Sequence, residues 1–212
     1  MHTLLLIAHL LGVCFGLGGT LILDFRLFRL VTGATIEPDD VLFARVLSRY
    51  VQLGLVLLWG SGVAFFALAP DGPASLLASP KLQAKLVVVV ALTLNGMLIG
   101  GLAVPLVSRN VGRPLFDGIG EAKRTILIAS AVVSSVSWVT PFVLGSIRVF
   151  DAPVSARQIL EIYLAITGFA LLLVQLGTRV LYQPASVAPM PTAGVTSLHE
   201  AFSDKRAPVL KS

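Results

Sequence analysis

Hydrophobic residues fall into five long runs, over 4–23, 51–69, 86–107, 126–145 and 159–177, separated by short polar segments. Each run holds about 20 residues, and at about 1.5 Å rise per residue such a helix crosses a hydrocarbon core of roughly 30 Å. The pattern predicts an all-α fold, an integral membrane bundle of five transmembrane helices. Polar punctuation agrees with these limits. Glu37-Pro38-Asp39-Asp40 breaks the first connection and offers Asp39 or Asp40 as the N-cap of the second helix. The segment Ala69-Pro70-Asp71-Gly72-Pro73 reads as a turn, and Ser79-Pro80 as the cap and opening of the third helix. Ser155-x-x-Gln158 has the spacing of a capping box for the fifth.

Placing the basic residues orients the bundle. Of the 16 Lys and Arg, twelve lie in the first connection, the third connection and the C-terminal segment, and four lie on the opposite side. Basic residues favour the cytoplasmic side, so the N-terminus is expected outside and the C-terminus inside. Composition then narrows the class. The chain of 212 residues is 56% hydrophobic and 13% charged, with a mean hydropathy of +0.89. Soluble domains carry about 25% charged residues. The net charge of +5 is explained by topology, so no nucleic-acid partner is expected. The first run lacks a basic leading segment and is too long for a signal-peptide core, so it is expected to persist as a span. The lone cysteine, Cys14, has no disulfide partner and reads as an apolar packing residue. Residues 1–182 form the expected five-helix domain. Residues 183–212 carry Pro184, Pro189, Pro191 and Pro208 without any period, and read as a disordered cytoplasmic tail.

Polar residues inside the runs are the candidates for chemistry. At about 100° per residue, His9, Gly16, Thr20 and Leu27 share one helix meridian, with Gly12 and Gly19 beside it. Gly12, Gly16 and Thr20 form a small-xxx-small ladder that lets another helix approach on the His9 side. An imidazole on that face needs a neighbouring-helix hydrogen bond, a ligand or a proton to carry. Lys85 sits one to two turns inside the third helix at a similar depth, where it can snorkel to the interface or turn inward. Asn95, beside Gly96, reads as interhelical glue. Ser130, Ser134, Ser137, Pro141 and Gly145 recur along one side of the fourth helix, either as a tight seam or as a pocket wall with Trp138. Trp59 and Trp138 suit interfacial anchors or pocket walls equally. Glu161 could pair with Lys81, Lys85 or Arg148, or orient His9, and Asp24 could pair with Arg45 or Arg49. Water-soluble enzyme classes are set aside, because no phosphate-binding loop, H-E-x-x-H or nucleophile elbow occurs.

The segment His9-Leu10-Leu11-Gly12-Val13, a glycine-rich middle and Arg26-Leu27-Phe28 together resemble the first helix of the HemJ-type membrane protoporphyrinogen oxidases. Ala84-Lys85-Leu86 followed by a Val/Leu run resembles that family's second hallmark, and the chain also looks like bacterial membrane families near the CopD-like proteins. Asn95 stands where the HemJ-type family has a histidine, and Leu21-Ile22-Leu23-Asp24-Phe25 replaces its aromatic, proline-containing segment. The resemblance implies a multi-pass protein of the bacterial inner membrane that holds haem b between His9, as axial ligand to the iron, and Lys85. The cofactor-binding candidates are His9, Lys85, Trp138, Ser134 and Ser137, and the only metal-ligating candidate is His9. The lipid bilayer is the expected surrounding, with quinone as electron partner or other membrane subunits as neighbours. Two further readings stand beside the redox one: a non-catalytic structural or assembly subunit of a larger membrane complex, and a small transporter component using His9, Lys85 and Glu161 as a relay.

Overall fold

The computed structural model describes residues 2–146 and 154–181. Its helices are α1 (His2–Val31), α2 (Pro38–Ala67), α3 (Pro73–Leu77), α4 (Pro80–Leu98), α5 (Val104–Arg109), α6 (Glu121–Ser146) and α7 (Ala156–Leu181). A wide π-type turn at Ile99–Ala103 joins α4 to α5, so that Pro80–Arg109 is one continuous rod. Among the described residues, five rods are therefore long and apolar enough to cross a membrane. The expected tail, 183–212, lies outside the described residues, as do Arg148 and Asp151.

The helices are longer than the apolar runs. α1 continues past Leu23 to Val31, and α2 starts at Pro38, thirteen residues before Val51. Arg26, Arg29, Arg45 and Arg49 consequently sit on helix ends rather than in a loop. The caps explain the limits. Glu37, not Asp39 or Asp40, is the N-cap of α2, and the buried Asp40 carboxylate accepts the Glu37 N–H at 2.8 Å. Ser79 precedes Pro80 as expected but makes no side-chain cap. The Ser155/Gln158 box closes reciprocally, with the Ser155 N–H donating to Gln158 Oε1 at 2.9 Å and the Gln158 N–H to Ser155 Oγ at 3.2 Å. In the second connection, Gly72 turns at φ +80° with its N–H on Ala69 O before α3 begins.

The π-type turn has a local cause. Pro105 has no N–H to give the Gly101 carbonyl, and its ring crowds that carbonyl. Widening the preceding turn absorbs both effects. Pro141 has less consequence, for α6 runs through it unbroken from Glu121 to Ser146.

The connections alternate ends, and the first and third meet. Ile36 N–H donates to Arg113 O at 3.0 Å, and Gly112 N–H to Ile36 O at 2.9 Å. At that end Leu30, Ile36, Val107, Leu115, Phe116 and Ile128 form one apolar plug. Leu58, Leu92 and Trp138 form a second cluster, and Ala84, Leu144 and Ile159 a third at the opposite end. Large apolar side chains such as Leu4, Phe25, Val56, Met97 and Phe169 point outward, as lipid-facing positions do.

The tightest contact joins α1 to α2 and α6. A Cβ on Gly54 would stand 2.6 Å from Gly16 N and 2.7 Å from Gly12 O, so the α1 and α2 backbones touch there. A Cβ on Gly16 would lie 1.9 Å from the Trp138 ring. Gly54→Ala must therefore push α2 off α1, at an expected cost of about 1–3 kcal/mol. Gly18→Ala meets nothing within 4 Å and serves as the control. Denaturant titration of the detergent-solubilised protein checks this, and equal stability of the two variants would contradict the contact.

Candidate functional site

The polar groups divide between the two ends of the bundle. At the end holding the α1 N-terminus, His9 Nδ1 lies 2.8 Å from Ser61 Oγ. Ser61 Oγ also lies 2.6 Å from Leu57 O and 3.2 Å from Leu58 O, one turn back on α2. A carbonyl can only accept, so the single hydroxyl proton goes to the helix backbone and the serine oxygen accepts from His9 Nδ1–H. The neutral imidazole is left with its lone pair on Nε2. Phe65 meets the ring edge-to-face, with centroids 5.8 Å apart, and holds its plane.

Lys85 belongs to the same end. Its ammonium rests on α6, 3.6 Å from where a Cβ of Gly145 would be. Its side chain is half-buried there, and Gly145 beside it is exposed. Glu161 joins neither residue; it pairs with Arg157 at 2.8 Å on the exposed face of α7.

The glycine ladder does not accommodate a flat ligand. Gly12 and Gly16 are filled by the α2 backbone and by Trp138, as described above. The serine stripe splits in two. Ser137 is fully buried and bonded to Tyr163 Oη of α7 at 2.9 Å, a seam contact. Ser134 and Trp138 instead line a cavity of about 610 Å³ between α1, α2, α4, α6 and α7, toward the end where the first and third connections meet. The five sequence-derived site residues thus do not converge. His9 and Lys85 share one end, Ser134 and Trp138 the cavity, and Ser137 the α6–α7 seam.

The cavity wall is apolar except for hydroxyls, the Gln52 amide and the Asp24 carboxyl, its only charged group. Asp24 bonds Ser135, whose hydroxyl also lies 2.9 Å from Ala131 O. No pairing with Arg45 or Arg49 occurs, contrary to expectation; Asp24 bonds Ser135, and the two arginines line an adjoining hollow. The serine bond suits either state of the acid. An ionised Asp24 accepts the Ser135 proton, and a protonated one donates to Ser135 Oγ while Ser135 donates to Ala131 O. Trp138 Nε1 is buried without a partner, whereas Trp59 Nε1 donates to Thr93 Oγ1 at 3.0 Å across α2 and α4. Trp59 is therefore an interhelical link, and Asn95, which donates to Ser130 O at 2.8 Å, is the glue expected of it. Cys14 is exposed on the outer surface of α1 rather than packed.

Sequence reasoning passed over Ser61, Ser135 and Gly54. Ser61 stands between Gly60 and Gly62, and Ser135 lies one residue off the stripe. Asp24, an acid inside the extended α1, was the available signal for the cavity.

Family models, curated proteins and solved structures contain no match to this chain. Among the described residues no group of three or more His, Cys, Asp or Glu side chains could hold a metal ion. His2 stands at the same end, its ring centroid 5.5 Å from that of Phe65, so two imidazoles flank that phenyl ring.

Tyr163→Phe removes the α6–α7 bond and leaves a buried serine hydroxyl. Interhelical bonds of this kind contribute about 0.5–2 kcal/mol, so a loss in that range is expected. Stability measured beside Ser137→Ala/Tyr163→Phe checks it, since removing both partners should restore part of the loss.

Proposed function

We propose that this chain is a multi-pass protein of the bacterial inner membrane that holds haem b through His9 and acts in membrane redox chemistry of the protoporphyrinogen-oxidase type. The observation that carries the reading is the His9–Ser61–Leu57 relay, which fixes the imidazole and leaves Nε2 with its lone pair. Histidines that ligate metals characteristically give their other N–H to an oxygen acceptor in this way. The donor chemistry at His9 fits a haem iron. The glycines beside it do not supply the cradle, so the group would be held without the Gly12–Gly16 face.

His9 would hold the iron, and Lys85, half-buried at the same end, is the residue that the resemblance assigns to the second position. When bound, haem b supplies one-electron transfer. The chain's own part is orientation. Ser61 keeps the Nδ1 proton in place, and Phe65 limits rotation of the ring. The excess of Lys and Arg at the end of the first and third connections supports an orientation with that end cytoplasmic and His9 on the outer side. Quinone is the electron partner most compatible with a site inside the bilayer.

Absorption spectra of the purified protein, oxidised and dithionite-reduced, test the reading. The expected result is a reduced Soret and α band that His9→Ala abolishes. Ser61→Ala should lower haem retention by about tenfold or more, as loss of such an outer partner does. Lys85→Ala should move the bands if it occupies the second position. A folded wild-type protein that stays colourless after haem is supplied would rule the proposal out.

A further inference from the structure

The cavity near Asp24 owes its existence to missing side chains. Gly96 and Gly100 of the Pro80–Arg109 rod face it, and a Cβ on either would meet nothing within 4 Å. Alanines at 44, 103 and 131 enlarge it further. A space of about 610 Å³ lies within the range that binds small ligands. Its wall holds no Lys, Arg or His and is mostly apolar, so it offers an anion no countercharge and suits an apolar chain.

A second hollow of about 180 Å³ adjoins it, sharing Ser48, Gln52, Gly100 and Val104 as walls. The remaining walls of this hollow are Arg45 and Arg49. Those two arginines, spaced one turn apart on α2, make no ion pair among the described residues, whereas Arg26 and Arg29 are both spent on Asp40. Arg45 and Arg49 therefore stand at the mouth of an apolar cavity with their charge uncompensated by those residues. One surface thus presents a greasy interior and a cationic entrance.

We infer that this site takes an anionic amphiphile, with its charged head on Arg45 and Arg49 and one acyl chain in the cavity beside Gly96 and Gly100. A membrane phospholipid and a free fatty acid share this chemistry. The Ser135 bond keeps the Asp24 carboxyl satisfied beside the chain, so the chain strands no polar group there. The site lies at the opposite end from His9 and stands or falls independently of the haem reading.

The test uses the full chain in detergent, with bound lipid counted by native mass spectrometry. Phosphatidylglycerol and phosphatidylcholine with identical acyl chains are compared, and oleate is the third probe. Phosphatidylglycerol should bind in preference to phosphatidylcholine. Arg45→Gln/Arg49→Gln should weaken it by roughly twenty-five-fold, each arginine contributing about a factor of five. Gly96→Leu, which fills the cavity, should abolish it, while Gly168→Leu on exposed α7 should leave it unchanged. Competition by oleate would identify a free fatty acid as sufficient, and its failure would identify the phosphodiester head as required. Equal binding of the two phospholipids, wild-type binding by a folded Gly96→Leu, or binding of neutral decylubiquinone that displaces phosphatidylglycerol irrespective of the arginines would each overturn the proposal.

Discussion

Everything in the bundle is set by how closely α1 and α2 approach. At Gly12, Gly16 and Gly54 the two backbones touch, with no room for a methyl group on any of the three. In lipid, helices gain little from burying apolar surface, because acyl chains are as apolar as leucine. Close packing and interhelical hydrogen bonds must supply the association instead. The glycine contact provides the first and positions the second. It places Ser61 against His9 and leaves a slot at Gly16 that the Trp138 ring fills, locking α6 onto the pair.

Around this axis the polar side chains are almost all satisfied across helix boundaries. Trp59–Thr93 links α2 to α4, Asn95–Ser130 links α4 to α6, Ser137–Tyr163 links α6 to α7, and Asp24–Ser135 links α1 to α6. Each of these groups would be costly if left bare in hydrocarbon. The lone exception among the indoles is Trp138 Nε1, where ring packing on Gly16 takes precedence over a hydrogen bond. The connection end is held differently. There Asp40 gathers Arg26 at 2.6 Å and Arg29 at 2.8 Å and also caps α2, so one buried carboxylate ties the α1 end to the α2 start. His9 with Lys85 at one end and Arg45 with Arg49 at the other are among the residues whose polar capacity the fold does not fully consume.

The five spans, the first connection's break and the Ser155 capping box were legible in the sequence alone, because each rests on local chemistry: run length, proline placement and spacing of three. Side chains that pair within one helix turn leave a signature that no distant residue can rewrite. The chain also determined that His9, Lys85 and Asp24 lie within or at the edge of hydrocarbon-length helices, and that they need partners there. Which partners they found was a tertiary matter. Asp24 offered itself to an arginine or a serine, and the packing of α6 against α1 gave it Ser135. The glycine ladder likewise offered its face to a macrocycle or to a helix, and the contact with α2 and Trp138 settled it. The cavity could not be read at all, since it is made of atoms that glycine and alanine lack, and an absence becomes a space only when other helices enclose it.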